Sequence, residues 1–290
     1  MKLTMTGWQT AAGRIPVTLW LLAGVLLAQF GAAVSVPLIH QYGSMTITGL
    51  RMAWAAAFLL LVARPRVLTL GTRRLMVAGV LGLTTAAMGF FFFAAVGRIP
   101  VGTVVSIEFL GPLTLALAGS RRPHDVIWAL LAALGVRLLT RDVAGAFDLL
   151  GYGFAAGSAV CWTGYIVLTN RVGRVFSGVQ GLTLSLTVAA VVGLPIGVLP
   201  HWQSLSLLPV LLMALIALVS PVATYSLEMA CLRRMEPRRF GIMMSLEPAA
   251  AAVMGFLVLG QRLSLSELLG VGCVSLASLG TTVAARPKKT

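Results

Sequence analysis

Two carboxylates lie inside long apolar runs of this chain, 139 positions apart and in similar settings. Glu108 stands in Val104-Val105-Ser106-Ile107-Glu108-Phe109-Leu110-Gly111-Pro112, and Glu247 in Met243-Met244-Ser245-Leu246-Glu247-Pro248. Each is preceded by Ser-x and followed by a proline, Ser245 opening the second setting as Ser106 opens the first. An ionisable side chain in hydrocarbon is costly unless it meets a partner or a wet cavity. Only 8 residues of the chain are acidic, so two of them at membrane depth imply a use. The chemistry on offer there is binding and passage of a polar solute rather than bond-making.

The elements that must hold these groups follow from composition. The chain of 290 residues is 58% hydrophobic and 10% charged, with a mean hydropathy of +0.95. Soluble chains carry roughly 25% charged residues, so an ordinary soluble domain is excluded. About 20 apolar residues in a helix cross a hydrocarbon core of about 30 Å. Ten stretches of that kind are readable: 16–38, 43–63, 75–96, 100–119, 125–140, 151–170, 178–199, 206–231, 239–259 and 265–284. The expected fold is therefore all-α and integral to the membrane, with ten transmembrane helices. The stretch 16–38 is read as the first span, because a cleavable leader has a shorter apolar core of about 7–15 residues.

With the N-terminus inside, 17 of the 22 Lys and Arg residues fall on cytoplasmic segments and 4 on external ones, Arg51 lying within the second span. Lys and Arg favour the cytoplasmic side, which predicts an even number of spans and both termini inside. The same distribution assigns the net charge of +14 to membrane orientation, and no nucleic-acid partner is expected. Residues 1–145 and 146–290 each hold five stretches, and landmarks recur at similar offsets: Pro112 and Pro248, like Arg98 and Arg234, are 136 positions apart. An odd number of spans per half makes the second half enter from the opposite face. Inverted five-helix repeats of this kind enclose midplane sites in secondary carriers.

Several side chains then become site candidates. Arg51 falls at a depth comparable to Glu108, so the two are expected to pair, either locking helices together or meeting a substrate's ammonium or carboxylate. Glu247 has no equivalent arginine. It is either a neutral carboxyl bonded between helices or a group that takes up a proton in a proton-linked step. Trp162, Tyr165 and Thr169 share one helical face, which is either packing bulk or a wall of ring faces able to hold an ammonium. Gln29 and Tyr225 are polar groups at depth, each a helix-to-helix bond or a substrate contact. One ring of Phe90-Phe91-Phe92-Phe93 is expected at a cavity, without a choice among them. Glu228 is read as an interface residue near Arg233 and Arg234. Gly153-x-x-x-Gly157 and Gly193-x-x-x-Gly197 allow close helix approach.

No enzyme constellation is readable: there is neither a nucleotide-cradling G-x-x-x-x-G-K-[ST] nor an H-E-x-x-H motif. The three cysteines, Cys161, Cys231 and Cys273, are scattered in apolar runs without metal or disulfide spacing. No cofactor, metal or catalytic residue is expected.

The combination of Glu108-Phe109-x-Gly111-Pro112-Leu113 with Ser120-Arg121-Arg122-Pro123, of Tyr225-Ser226-Leu227-Glu228-Met229, of Arg238-x-Phe240-Gly241-x-Met243-Met244-Ser245-Leu246-Glu247-Pro248, and of Cys161-Trp162 resembles the EamA-type drug/metabolite transporters. Across nearly the whole chain the likeness is to bacterial inner-membrane threonine/homoserine exporters, with aromatic amino acid exporters a related group. The resemblance implies ten spans in two repeats and export of amino acids from the bacterial cytoplasm. It implies threonine- and homoserine-like substrates, with methionine and aromatic amino acids as extensions. A drug or other small-metabolite exporter on the same scaffold is the alternative.

Overall fold

The computed structural model describes residues 16–63, 71–118, 125–139, 148–176, 180–225, 227, 231 and 243–284. Glu228, Arg121, Arg122, Arg233, Arg234, Arg238 and Arg239 lie outside them. Helix accounts for nearly all of what is described, and no strand occurs among the described residues. Segments this apolar satisfy their own backbone N–H and C=O groups by folding as helices, since hydrocarbon supplies no partner.

In chain order the helices are α1 (Val17–Tyr42), α2 (Ser44–Ala63), α3 (Thr72–Val96), α4 (Val101–Glu108), α5 (Leu110–Ala118), α6 (Asp125–Leu139), α7 (Leu149–Val175), α8 (Gln180–Gly193), α9 (Leu207–Ala217), α10 (Glu247–Leu259) and α11 (Leu265–Ala284). A π-helical turn (Leu194–Val198) and a 3-10 turn (Leu199–Ser204) continue α8, and a second π turn (Leu218–Ala223) continues α9. Every apolar stretch read from the sequence is mainly helical over its described residues, with interruptions inside 100–119, 206–231 and 239–259. Five segments are long and apolar enough to cross a membrane: Val17–Tyr42, Ser44–Ala63, Thr72–Val96, Gln180–Ser204 and Leu265–Val283. Shorter apolar helices cover Val101–Leu115, Val126–Leu139, Leu207–Ala223 and Glu247–Leu259. α7 has 27 residues but is less apolar, carrying Ser158, Thr163, Thr169 and Asn170 along its length.

Helix ends follow local chemistry. Gly43 ends α1 at φ +82, and Gly260 ends α10 in the left-handed region at φ +66, conformations that a side chain disfavours. Asp148 caps α7 by accepting the N–H of Gly151 at 2.9 Å. That bond first, and the neighbouring Arg98 guanidinium after it, hold the Asp148 carboxyl below its usual range. The Arg98–Asp148 ion pair spans 3.1 Å and joins the α3–α4 turn to the start of α7.

The breaks matter more than the ends. A turn at Phe109 separates α4 from α5 directly after Glu108. A turn at Ser245–Leu246 precedes α10, so Pro248 occupies its first helical turn, where a missing N–H costs nothing. Pro248, although well inside the 239–259 stretch, thus stands at the start of a helix. A further break at Ser220 (φ −149, ψ 112), just before Pro221, has no counterpart among the sequence expectations.

α3 packs along α7 and α8, α2 along α8 and its continuation, α6 along α11, and α10 against α1 and α4. The largest buried cluster forms around Val101, Val104, Val105 and Ile107 of α4, with Ala251, Val271 and Val274 opposite. Glycines set the closest approaches. A Cβ on Gly49 would lie 2.6 Å from the Gly193 carbonyl oxygen. One on Gly135 would lie 2.9 Å from the Gly270 oxygen, and one on Gly270 would lie 2.8 Å from that of Gly135. Of the two expected glycine motifs, Gly193 and Gly197 meet α2 backbone, whereas Gly157 faces the Phe91 ring and Gly153 faces open space. Gly49→Ala is therefore expected to lower the melting temperature in detergent, by an overpacking cost of about 1–3 kcal/mol. Gly153→Ala is expected to leave it unchanged or raise it.

Candidate functional site

A cavity of about 810 Å³ lies between α1, α2, α3, the α4–α5 break, α7, the Ser220 break, α10 and α11. Volumes of about 300–1,000 Å³ are those of sites that hold small organic ligands. Its wall extends along α7 through Thr169 and Asn170 to Gly173 and Arg174, which are exposed, and along α11 to Thr281 and Thr282. Beyond the other end, helices are tied together by the Arg98–Asp148 pair, by Gln261 Oε1 accepting the N–H of Val101 at 3.2 Å, and by Tyr152 donating to the Leu139 carbonyl at 3.0 Å.

Both carboxylates reach this cavity from broken helices. Glu108 is the last residue of α4 and 8% exposed; the Ser158 hydroxyl of α7 donates to its Oε1. Glu247 is the first residue of α10, and its Oε1 accepts the amide of Gln29 from α1 at 3.0 Å. A carboxylate at a helix start also benefits from the unbonded N–H groups there. Each glutamate is thus held by a polar residue on a helix of the opposite half of the chain. Gln29 is thus a helix-to-helix partner of Glu247, and it also lines the cavity.

Arg51 is also 8% exposed and lines the same cavity. The expected pair with Glu108 does not form: no nitrogen of Arg51 comes within 4.0 Å of a carboxylate oxygen among the described residues. Arg51 Nη2 donates instead to the Ser220 hydroxyl at 2.7 Å, and the guanidinium lies 4.8 Å from the centroid of the Phe93 ring. The physical reason is competition. A serine hydroxyl sits within reach of each charge, on α7 for Glu108 and at the helix break for Arg51, so each is bonded locally and the two stay apart.

The aromatic face expected on the sixth stretch turns to the cavity, with Trp162, Tyr165 and Thr169 all on its wall. Trp162 meets Phe109 edge to face at 5.0 Å between centroids, and Tyr165 stacks on Tyr225 at 6.3 Å. Of the four consecutive phenylalanines, Phe92 and Phe93 line the cavity, while Phe90 and Phe91 pack against Phe154. Ser245 is the candidate that does not reach the wall: it is buried and hydrogen-bonded to Ser278 at 3.0 Å, and Ser278 lines the cavity in its place. Ser158 and Ser220 were not singled out in the sequence. Small hydroxyl residues are common in apolar helices, where they bond their own backbone, and only the Ser-Pro pair at 220–221 carries a local signal. The three cysteines are free, and no cluster of metal-ligating residues occurs among the described residues.

Comparison with known proteins agrees with this architecture. The model of the EamA-like transporter family matches residues 149–283. The threonine/homoserine exporter RhtA of Escherichia coli (strain K12) is 34% identical over 278 residues, spanning 94% of this chain and 92% of the relative. Its counterpart from Salmonella typhimurium (strain LT2) is 34% identical over 287 residues, spanning 94% of both chains. One solved structure superposes with a TM-score of 0.60 at 22% identity, over 94% of this chain and 99% of its own, a likeness of fold. Identity at that level over nearly the full length of both chains places the protein in the EamA-like transporter family, in its threonine/homoserine exporter branch.

Proposed function

We propose that the protein exports amino acids across the bacterial cytoplasmic membrane, by alternating access of two inverted halves around the cavity. The observation that carries this reading is a guanidinium and two carboxyl groups on one membrane-depth wall, with Arg51 and Glu108 kept apart by their own serines. A zwitterion complements such a wall, and an uncharged solute leaves its charges unanswered. Relatives named as threonine/homoserine exporters support the same substrate class. The volume and the rings of Trp162, Tyr165, Phe92 and Phe93 support a range that includes methionine and aromatic amino acids. The same apolar surface is what favours the second reading, a drug or other small-metabolite exporter.

Packing supports the inverted repeat of 1–145 and 146–290. A two-fold exchanging the halves would relate α3 against α7 to the α9 segment against α1, and α10 against α1 to the α4–α5 pair against α7; both members of each relation are packed. It would map α2–α8 and α6–α11 onto themselves. Those are the two interfaces where glycine backbone meets glycine backbone. The Glu108–Ser158 and Glu247–Gln29 bonds obey the same exchange. With both termini cytoplasmic, the cavity opens inward at Arg174 and Thr282 and is closed outward by the ties around Arg98 and Asp148. Export is then a rocking of helix groups that opens the second end and closes the first. Glu247, bonded to a neutral amide, is the group on which a coupled proton would ride.

In liposomes carrying the purified protein, flux of labelled threonine, methionine and tryptophan is expected. Glu108→Gln should reduce it roughly tenfold or more, the worth of a charged contact, and Trp162→Ala about fivefold or more. Wild-type rates in either variant would remove that residue from the site. A pH-gradient stimulation that persists in Glu247→Gln would remove the proton role from Glu247. In a variant lacking the native cysteines, a cysteine at Thr282 should react with a membrane-impermeant maleimide only from the cytoplasmic side and one at Arg262 only from outside; the reverse pattern would invert the topology.

A further inference from the structure

The described residues hydrogen-bond only one nitrogen of the Arg51 guanidinium. Ser220 takes one hydrogen of Nη2, and Nε and Nη1 have no hydrogen-bond partner among the described residues although both are buried. An arginine offers five N–H groups arranged in two two-pronged edges, one formed by Nε with Nη2 and one by Nη1 with Nη2. Whichever Nη2 hydrogen Ser220 takes, one complete edge remains. Unbonded donors on a buried cation are costly, and Phe93 supplies a ring face to the charge without filling any of them. The residue lines a cavity that admits a ligand, and its one hydroxyl partner sits at the broken turn of the helix that Pro221 follows.

We infer that Arg51 is the anchor for the carboxylate of the transported molecule, so that the cavity recognises a free α-carboxylate and tolerates variation in the rest. This rests on the amino-acid reading above and extends it to the chemistry of selection. A carboxylate matches the spare edge of the guanidinium with two parallel charge-assisted bonds, a geometry that an amide, an alcohol or an amine does not reproduce. The ammonium of the same molecule is then directed toward the carboxyl-bearing wall of Glu108 and Glu247, and its side chain toward the rings of Trp162 and Phe92. Because Ser220 shares Nη2 with the incoming anion, the anchor also touches the helix break. Recognition thereby begins at a point where the backbone is already non-helical.

Two measurements test the anchor separately from the amino-acid reading. In liposomes, unlabelled L-threonine should inhibit flux of labelled threonine at least about tenfold more strongly than L-threonine amide, the discrimination of a charge-assisted pair. In Arg51→Gln, and to a lesser degree in Arg51→Lys, which keeps charge without the fork, that preference should shrink to within about twofold. In detergent, thermal stability of the wild-type protein should rise with propionate and not with propionamide, and the difference should vanish in Arg51→Gln. Flux with equal inhibition by threonine and its amide would overturn the anchor and leave the amino-acid reading standing. Absence of threonine flux together with Arg51-dependent stabilisation by propionate would overturn the amino-acid reading and leave the anchor. Retained carboxylate preference in Arg51→Gln by either readout would overturn the anchor.

Discussion

The structure depends on one constraint, that a charge at membrane depth must be bonded by protein or face a cavity. Glu108 and Glu247 meet it in the same manner: each sits beside a helix break, lines the cavity, and takes a hydrogen bond from a helix of the other half of the chain. The breaks bring backbone ends to the carboxyls, and irregular backbone at depth is tolerated only where it is enclosed by protein or lines such a space. Both bonds therefore cross between the halves of the chain at the cavity wall.

Around that constraint the remaining features fall into two groups. Glycines at the α2–α8 and α6–α11 contacts bring backbones within reach of each other, leaving no room for side chains to wedge these interfaces open. Between them, where side chains are large and polar groups turn inward, the space stays open. The interfaces that stay packed and the walls that enclose the cavity therefore differ in residue size. That division would serve the proposed rocking of helix groups around a solute.

Much of this was legible in the chain. Hydropathy and helix length placed every helix among the described residues, because an apolar segment in hydrocarbon has little choice but to form one. The two glutamates were found because so few acidic residues exist and two of them interrupt apolar runs. The face of Trp162, Tyr165 and Thr169 followed from the helical repeat, although spacing left open which way that face turns. The expected Arg51–Glu108 pair failed because a matched depth says nothing of rotation about the helix axis or of nearer hydroxyls. Ser158 and Ser220 stayed hidden, since a serine in an apolar helix looks the same whether it bonds its own backbone or a charge on another helix.

The sequence by itself determined class, helical content, the apolar and basic distribution, and the residues whose polarity demands an explanation at depth. Those properties are sums over local chemistry, and each residue's transfer cost is nearly independent of its distant neighbours. Tertiary structure alone decided partners: Gln29 for Glu247, Ser158 for Glu108, Ser220 for Arg51, and a buried Ser245 whose place on the cavity wall Ser278 takes. These choices join residues between 33 and 218 positions apart. They turn on ångström-scale differences in how helices rotate and approach, which hydropathy and spacing do not encode.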